Sequence, residues 1–147
     1  MRRPTAGAVR QDLTAVQEQG VDTVLSLLEP SEAVLVGLVH QAGICAELGM
    51  TFLTHPVPDM QLPLFEPFEA LLSNLSARLD EGAHIAVHCH ASIGRSGILA
   101  CCLLGRQQGI SARDAIARVS IARGVPVPDT DEQVDFIRRI LEQPSSA

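Results

Sequence analysis

The sequence predicts an α/β fold: one domain over residues 1–147, with a mainly parallel, twisted sheet and helices on both faces. Three observations predict it. Short apolar runs at residues 21–27, 50–55 and 84–88 have strand length. Each is separated from the next by a helical apolar pattern that ends on glycine, and strands alternating with helices build parallel sheets. A chain of 147 residues, 46 % hydrophobic and 19 % charged, is also large enough to bury a core without staples.

The elements follow in chain order. Residues 11–19 read as a helix stopped by Gly20. The run 21–27 alternates into the first strand. Residues 31–48 are helical, in two pieces broken near Gly43 and closed by Gly49. A second strand, 50–55, meets Pro56-Val57-Pro58-Asp59, where each proline biases its predecessor away from helix. The next helix, 66–80, places Phe68, Leu71, Leu72, Leu75 and Leu79 at helical spacing and stops at Gly82. After the third strand comes a glycine-containing turn and a helix over 95–108. Ser111 with Asp114, and Thr130 with Gln133, resemble capping boxes for helices reaching 122 and 141. The tail 144–147 reads as frayed.

The formal net charge of −6 argues against a nucleic-acid or anionic-membrane partner, which calls for a basic face. The apolar run 98–104 is far shorter than the ~20 residues a membrane span needs. Arg2 and Arg3 have no apolar stretch behind them, so no signal peptide is read and a cytoplasmic location is the default expectation. Cys45, Cys89, Cys101 and Cys102 have no framework spacing, in keeping with a reducing compartment. Cys45, Cys101 and Cys102 read as small core residues.

Cys89 sits in a different context, His88-Cys89-His90-Ala91-Ser92-Ile93-Gly94-Arg95-Ser96. A buried strand ends at His88 and a helix opens at Arg95, with Gly94 free to take an unusual backbone angle. A compact turn at a helix start collects unpaired N–H groups and partial positive charge, which makes an anion nest. No acid interrupts it. Thiols in such nests, beside an arginine, are stabilised as thiolates. Arg95 offers a planar fork for two phosphoryl oxygens, which lysine cannot copy. In parallel sheets ligands bind beyond the carboxyl ends of strands, where the third strand delivers Cys89.

The spacing His-Cys-x5-Arg-Ser resembles the signature loop of the cysteine-dependent protein tyrosine phosphatases, in the form of the small dual-specificity-like branch. The resemblance extends over residues 21–141, as a catalytic core. It implies a phosphocysteine intermediate on Cys89, phosphate binding by Arg95 and the loop residues His90, Ala91, Ser92, Ile93 and Gly94, and assistance to intermediate breakdown from Ser96. It implies that His88 holds the loop from behind and tunes the thiol. The route needs neither metal nor cofactor.

The family usually has glycine where Ser92 stands. A positive φ at Ser92 would strain the loop, but a hydroxyl hydrogen-bonded within the loop would hold the cradle ready, and the latter is the expectation here.

The reaction also needs an acid for the leaving oxygen, which later serves as base toward water. Asp59, in a loop stiffened by Pro56, Pro58 and Pro63 at the same sheet edge as Cys89, is the candidate and resembles the family's acid loop. Gln133 resembles the glutamine that positions water in some branches, and it is also the capping partner of Thr130; both readings stand. His40, His55 and His84 read as structural, and His90 as part of the pocket rim.

Other readings fit the residues less well. An inert cysteine does not account for the arginine and hydroxyl at these offsets. A nucleotide loop lacks both of its diagnostic residues. Adjacent His88, Cys89 and His90 point to alternate faces and cannot share a zinc. Sulfur-transfer or arsenate-reducing loops need no proline-framed aspartate. The expected substrate is a phosphorylated protein or small phosphoester, since the loop has no lysine to suit inositol phosphates. The rival from another class is a catalytically weak module that reads phosphate, favoured only by Ser92.

Overall fold

Strand β1 (Thr23–Ser26) is buried along its whole length and lies between two parallel neighbours, β2 (Thr51–Thr54) and β3 (Ile85–His88), in the order β2-β1-β3. These facts come from a computed structural model that describes residues 1–142; the tail 144–147, expected to fray, lies outside them. Ser26 pairs with Thr54 on one side and His88 on the other. All three strands therefore end at one edge, and the chain leaves that edge toward Asp59 and Cys89.

Side chains alternate across β1, so its two faces seed two apolar clusters. Val24 packs with Leu13 of α1 (Val9–Glu18) and Cys45 of α3 (Gln41–Glu47). Leu25 faces the larger cluster, which holds Phe68, Leu72 and Leu75 of α4 (Phe65–Asp80) and Ile98, Leu99, Cys101 and Cys102 of α5 (Arg95–Gln108). Phe136, Ile137 and Ile140 of α7 (Asp131–Glu142) close that layer. Burying each such aliphatic or aromatic side chain is worth roughly 1.5–3 kcal/mol. Helices thus cover both faces of the sheet.

The capping signals act as the sequence implies. Ser111 Oγ accepts the Asp114 N–H at 3.1 Å and opens α6 (Ala112–Arg123). At α7 the box is reciprocal: Thr130 Oγ1 accepts the Gln133 N–H at 3.2 Å, and Gln133 Oε1 accepts the Thr130 N–H at 3.1 Å.

Two expectations are corrected. The break in the helical stretch 31–48 falls at Gly37, not Gly43. The chain forms α2 (Pro30–Leu35), turns through Gly37 at φ +72, buries Leu38 and only then enters α3. Gly43 is an ordinary helical residue in α3 with open space around it, so it has no cause to break the helix. The strands are also shorter than their apolar runs, because pairing on β1 ends where the chain diverges to the loops. Among the described residues no helix is long and apolar enough to cross a membrane.

Candidate active site

β3 carries Cys89 to the sheet edge, and the loop that follows returns to start α5 at Arg95. Cys89 is buried, its sulfur facing the Ser96 hydroxyl at 3.4 Å (Sγ to Oγ). It lies at the floor of a cavity of about 200 Å³, whose walls include His90, Ala91, Gly94, Arg95, Asp59 and Gln133. The other cysteines are unlike it. Burial pushes the Cys45 thiol up, the Cys101 thiol up to about 12, and the Cys102 thiol higher still. Among the described residues no three of His, Cys, Asp and Glu converge as a metal-ligand set.

His88 is fully buried, and burial pushes its pKa down to about 4. It is neutral near pH 7, and its Nε2–H donates to Gln41 Oε1 at 2.8 Å. The imidazole therefore braces the base of the loop through Gln41 and supplies no positive charge to the thiol.

Arg95 is 2 % exposed although charged, and its hydrogen bonds explain how that is tolerated. Nη1 donates to Glu32 Oε1 at 2.6 Å and to the Val57 carbonyl at 2.7 Å, while Nη2 donates to Glu32 Oε2 at 2.8 Å. Glu32 Oε1 also accepts the Glu29 N–H at 3.1 Å, which anchors the carboxylate at the start of α2. The Arg95 hydrogen bond holds the Glu32 carboxyl below the usual carboxylate range, against the opposing effect of burial. Nη2 also lies 3.2 Å from Asp59 Oδ1. Of its five N–H donors, those on Nη1 and Nη2 thus face Glu32, Val57 and Asp59, which leaves Nε–H without a partner among the described residues.

The tetrapeptide Pro-Val-Pro-Asp occurs twice, at 56–59 and 126–129, and both copies end at this cavity. In each the valine is the buried anchor. Val57 donates to the Leu27 carbonyl at 3.0 Å and accepts from Arg95; Val127 donates to Ser120 Oγ at 3.0 Å. The aspartates Asp59 and Asp129 stand at the rim, Asp59 with 57 % of its side chain exposed. Gln133 is buried between them and the loop, and its Oε1 also accepts the Asp129 N–H at 2.9 Å. A Cβ at Gly94 would lie 2.7 Å from Asp129 Oδ2 and 3.0 Å from Gln133 Nε2. Glycine is needed there for this close approach; its φ of −74 is ordinary.

The unusual backbone angle falls instead on Ser92, at φ +58. Its hydroxyl, in a side chain 3 % exposed, has no hydrogen-bond partner among the described residues. The expected bond within the loop is absent. Ser92 and Ile93 do not line the cysteine cavity: Ser92 faces a separate one behind the loop, and Ile93 packs on the core. The loop carbonyls are held from outside. Arg3 Nη1 donates to the His90 carbonyl at 2.6 Å, and Arg123 Nε and Nη2 donate to the Ser92 and Ala91 carbonyls at 3.1 and 3.4 Å.

A sequence model of the polymorphic toxin system DSP-PTPase phosphatases (Tc-R-P) matches residues 1–108. The chain belongs to this phosphatase family. Cyclin-dependent kinase inhibitor 3 of Mus musculus is 22 % identical over 92 % of the chain, which spans 64 % of that relative's length. Protein tyrosine phosphatase domain-containing protein 1 of Danio rerio is 30 % identical over 71 % of the chain, but only 16 % of its own length is matched. The crystal structure of Tk-PTP in the active form superposes with a TM-score of 0.80 at 25 % identity, covering 97 % of this chain and 90 % of that one. Kinase-associated phosphatase, crystallised with serine in place of its catalytic cysteine, shares the fold with a TM-score of 0.81 at 20 % identity, over 92 % and 78 % of the two chains.

Sequence reasoning missed Glu32, Gln41, Arg3, Arg123 and Asp129. Only Asp129 had a local signal, the second Pro-Val-Pro-Asp.

Proposed function

We propose that the chain hydrolyses phosphomonoesters of phosphorylated proteins, on tyrosine or on serine and threonine, by a two-step route through Cys89. The observation that carries this is the convergence of the Cys89 sulfur, the Arg95 guanidinium and the Asp59 carboxyl on one cavity. A phosphoryl group docks with one oxygen on Arg95 Nε–H, a second on Nη2 as Asp59 gives up that contact to serve as the acid, and others toward the loop N–H groups. Sγ attacks phosphorus, the P–O bond breaks, and the leaving oxygen takes its proton from Asp59. Water then attacks phosphorus and the S–P bond breaks, with the water proton passing to a rim carboxylate. Ser96, which reaches the sulfur from behind, stabilises the thiolate as it leaves. Asp59 and Gln133 flank the position of that water.

Steady-state turnover of an aryl phosphate, with EDTA present, tests the reading. Cys89→Ser is expected to abolish turnover and keep vanadate binding, because a serine hydroxyl is a far weaker nucleophile in the same nest. Residual turnover by this variant would overturn the nucleophile assignment. The rival, a module that binds phosphate without hydrolysis, is favoured by the strained Ser92; a wild type that binds vanadate but turns nothing over would establish it.

A further inference from the structure

We infer that the outer edge of β3 is a self-pairing surface: a second copy of this chain lays its own β3 antiparallel on it, which makes a two-fold dimer with one continuous sheet. The inference is independent of the phosphatase reading.

β3 is an end strand, with β1 on one side and no strand on the other among the described residues. Main-chain groups of successive strand residues face opposite sides. The Thr23 and Leu27 N–H groups donate to the His84 and His88 carbonyls at 3.3 and 3.0 Å. Residues 84, 86 and 88 therefore face β1, and Ala83, Ile85 and Val87 face outward. Two of the outward groups are satisfied within the chain. The Ala83 N–H donates to the Arg78 carbonyl at 2.9 Å, and the Val87 carbonyl accepts from the Met1 nitrogen at 2.9 Å. The N–H groups of Ile85 and Val87 and the carbonyls of Ala83 and Ile85 have no hydrogen-bond partner among the described residues.

That set complements itself. In an antiparallel pairing centred on Ile85, each Ile85 N–H meets the Ile85 carbonyl of the other copy. Each Val87 N–H meets the Ala83 carbonyl of the other copy. The two groups already satisfied fall opposite each other, so nothing inside either chain has to be broken. A pairing centred on Ala86 would need the Val87 carbonyl, which Met1 holds.

The surroundings favour the same partner. Native sheets protect their edges with charge, proline or bulges, and the outer edge at Ile85-Ala86-Val87 has neither charge nor proline. The other end strand, β2, exposes Thr51 and Thr54 and runs into Pro56. Beside β3, Ile85 and Val87 join Leu79, Leu103 and Leu104 around an apolar trough of about 270 Å³. Opposed residues of an antiparallel pair project to one face, so the two troughs close on each other. Asp80 and Glu81 are exposed at the start of the strand. Arg2, next to the Met1 contact, and Arg123, which lines a cavity with Val87, stand at its end. An antiparallel copy sets the acidic end on the basic end twice, which is the condition for a closed two-fold interface.

Sedimentation equilibrium combined with amide hydrogen exchange tests this on the intact chain. At about 100 μM, where an interface of micromolar Kd is mostly formed, the mass should be twice that of the chain. The Ile85 and Val87 amides should exchange slowly there and speed up on dilution, as monomers come to predominate. Glu81→Arg makes both end contacts repulsive and should raise Kd about tenfold; an unchanged Kd would overturn this pairing. Val87→Pro removes half of the new hydrogen bonds and should be monomeric, with wild-type circular dichroism. If that variant fails to fold, exchange in the wild type decides. A dimer whose Ile85 and Val87 amides exchange fast would be formed by another face, and would overturn the proposal. A monomer would overturn it too: slow exchange would then show that the chain covers its own edge, and fast exchange would leave the edge to a different protein.

Discussion

The Glu32 carboxylate grips the Arg95 guanidinium through two hydrogen bonds, at 2.6 and 2.8 Å, from a position 63 residues earlier in the chain. This fixes which edge of the arginine faces the cavity. Glu32→Gln keeps one acceptor but removes the carboxylate charge that compensates the buried guanidinium, leaving only the half-exposed Asp59 to offset it, and should cost about 3 kcal/mol of stability, as breaking a buried pair does. It should also lower kcat/KM, because the fork is free to turn toward Asp59. Urea melts and steady-state kinetics check both; unchanged kinetics would mean that Val57 alone orients the arginine.

Acid should destabilise the fold in two stages. His88, held at about 4 in the folded chain, is near 6.5 when unfolded, so the unfolded state binds the proton more readily between those values. Its contribution, roughly 3 kcal/mol, is complete above pH 6.5 and lost as pH falls toward 4. Glu32, held below its ordinary value, contributes above its unfolded pKa, and this is lost as pH falls through the lower folded pKa. Urea midpoints for wild type should therefore drop between pH 7 and 5. His88→Asn should be weaker at pH 7 but flatter over that range, and an equal drop in the variant would show that another group dominates.

The two Pro-Val-Pro-Asp loops make separable predictions. Asp59→Asn should lower the rate ~10²–10⁴-fold for serine phosphate, whose leaving group is poor, and much less for an activated aryl phosphate. Asp129 stands over Gly94 beside Gln133, so in the proposed mechanism it is the second rim carboxylate able to take the water proton. Asp129→Asn should slow release from the phosphocysteine, giving a burst of leaving group with either substrate. A burst in Asp59→Asn and none in Asp129→Asn would reverse the two assignments.

What the sequence disclosed and withheld follows from distance along the chain. The strand, turn and helix around Cys89 are contiguous, so His88, Cys89, Arg95 and Ser96 can be read locally, and the capping boxes at Ser111 and Thr130 likewise. Asp59 needed one inference, that parallel strands end at one edge. Glu32, Gln41, Arg3 and Arg123 meet the loop across separations of 63, 47, 87 and 32 or 31 residues, and no local pattern marks them. Gly94 and Ser92 exchange their expected conformations, because what surrounds a turn, here Asp129 and Gln133 over Gly94, is set by packing.

Ser92 gives the sharpest test of the loop. At φ +58 a non-glycine residue carries strain on the order of 1 kcal/mol, and its buried hydroxyl without a partner adds a desolvation penalty of about 1–3 kcal/mol. Glycine removes both, and its own cost in the unfolded chain is about 0.5–1 kcal/mol. The loop does not depend on the side chain for order, since Arg123 holds the Ser92 carbonyl at 3.1 Å whatever residue supplies it. Ser92→Gly should thus raise stability by about 1–3 kcal/mol, read from urea melts. If the strain is released only partly in the transition state, kcat rises by less than the tenfold that 1.4 kcal/mol would give. A fall in both stability and vanadate affinity would show that the serine orders the cradle after all, through a contact that forms only when phosphate is bound.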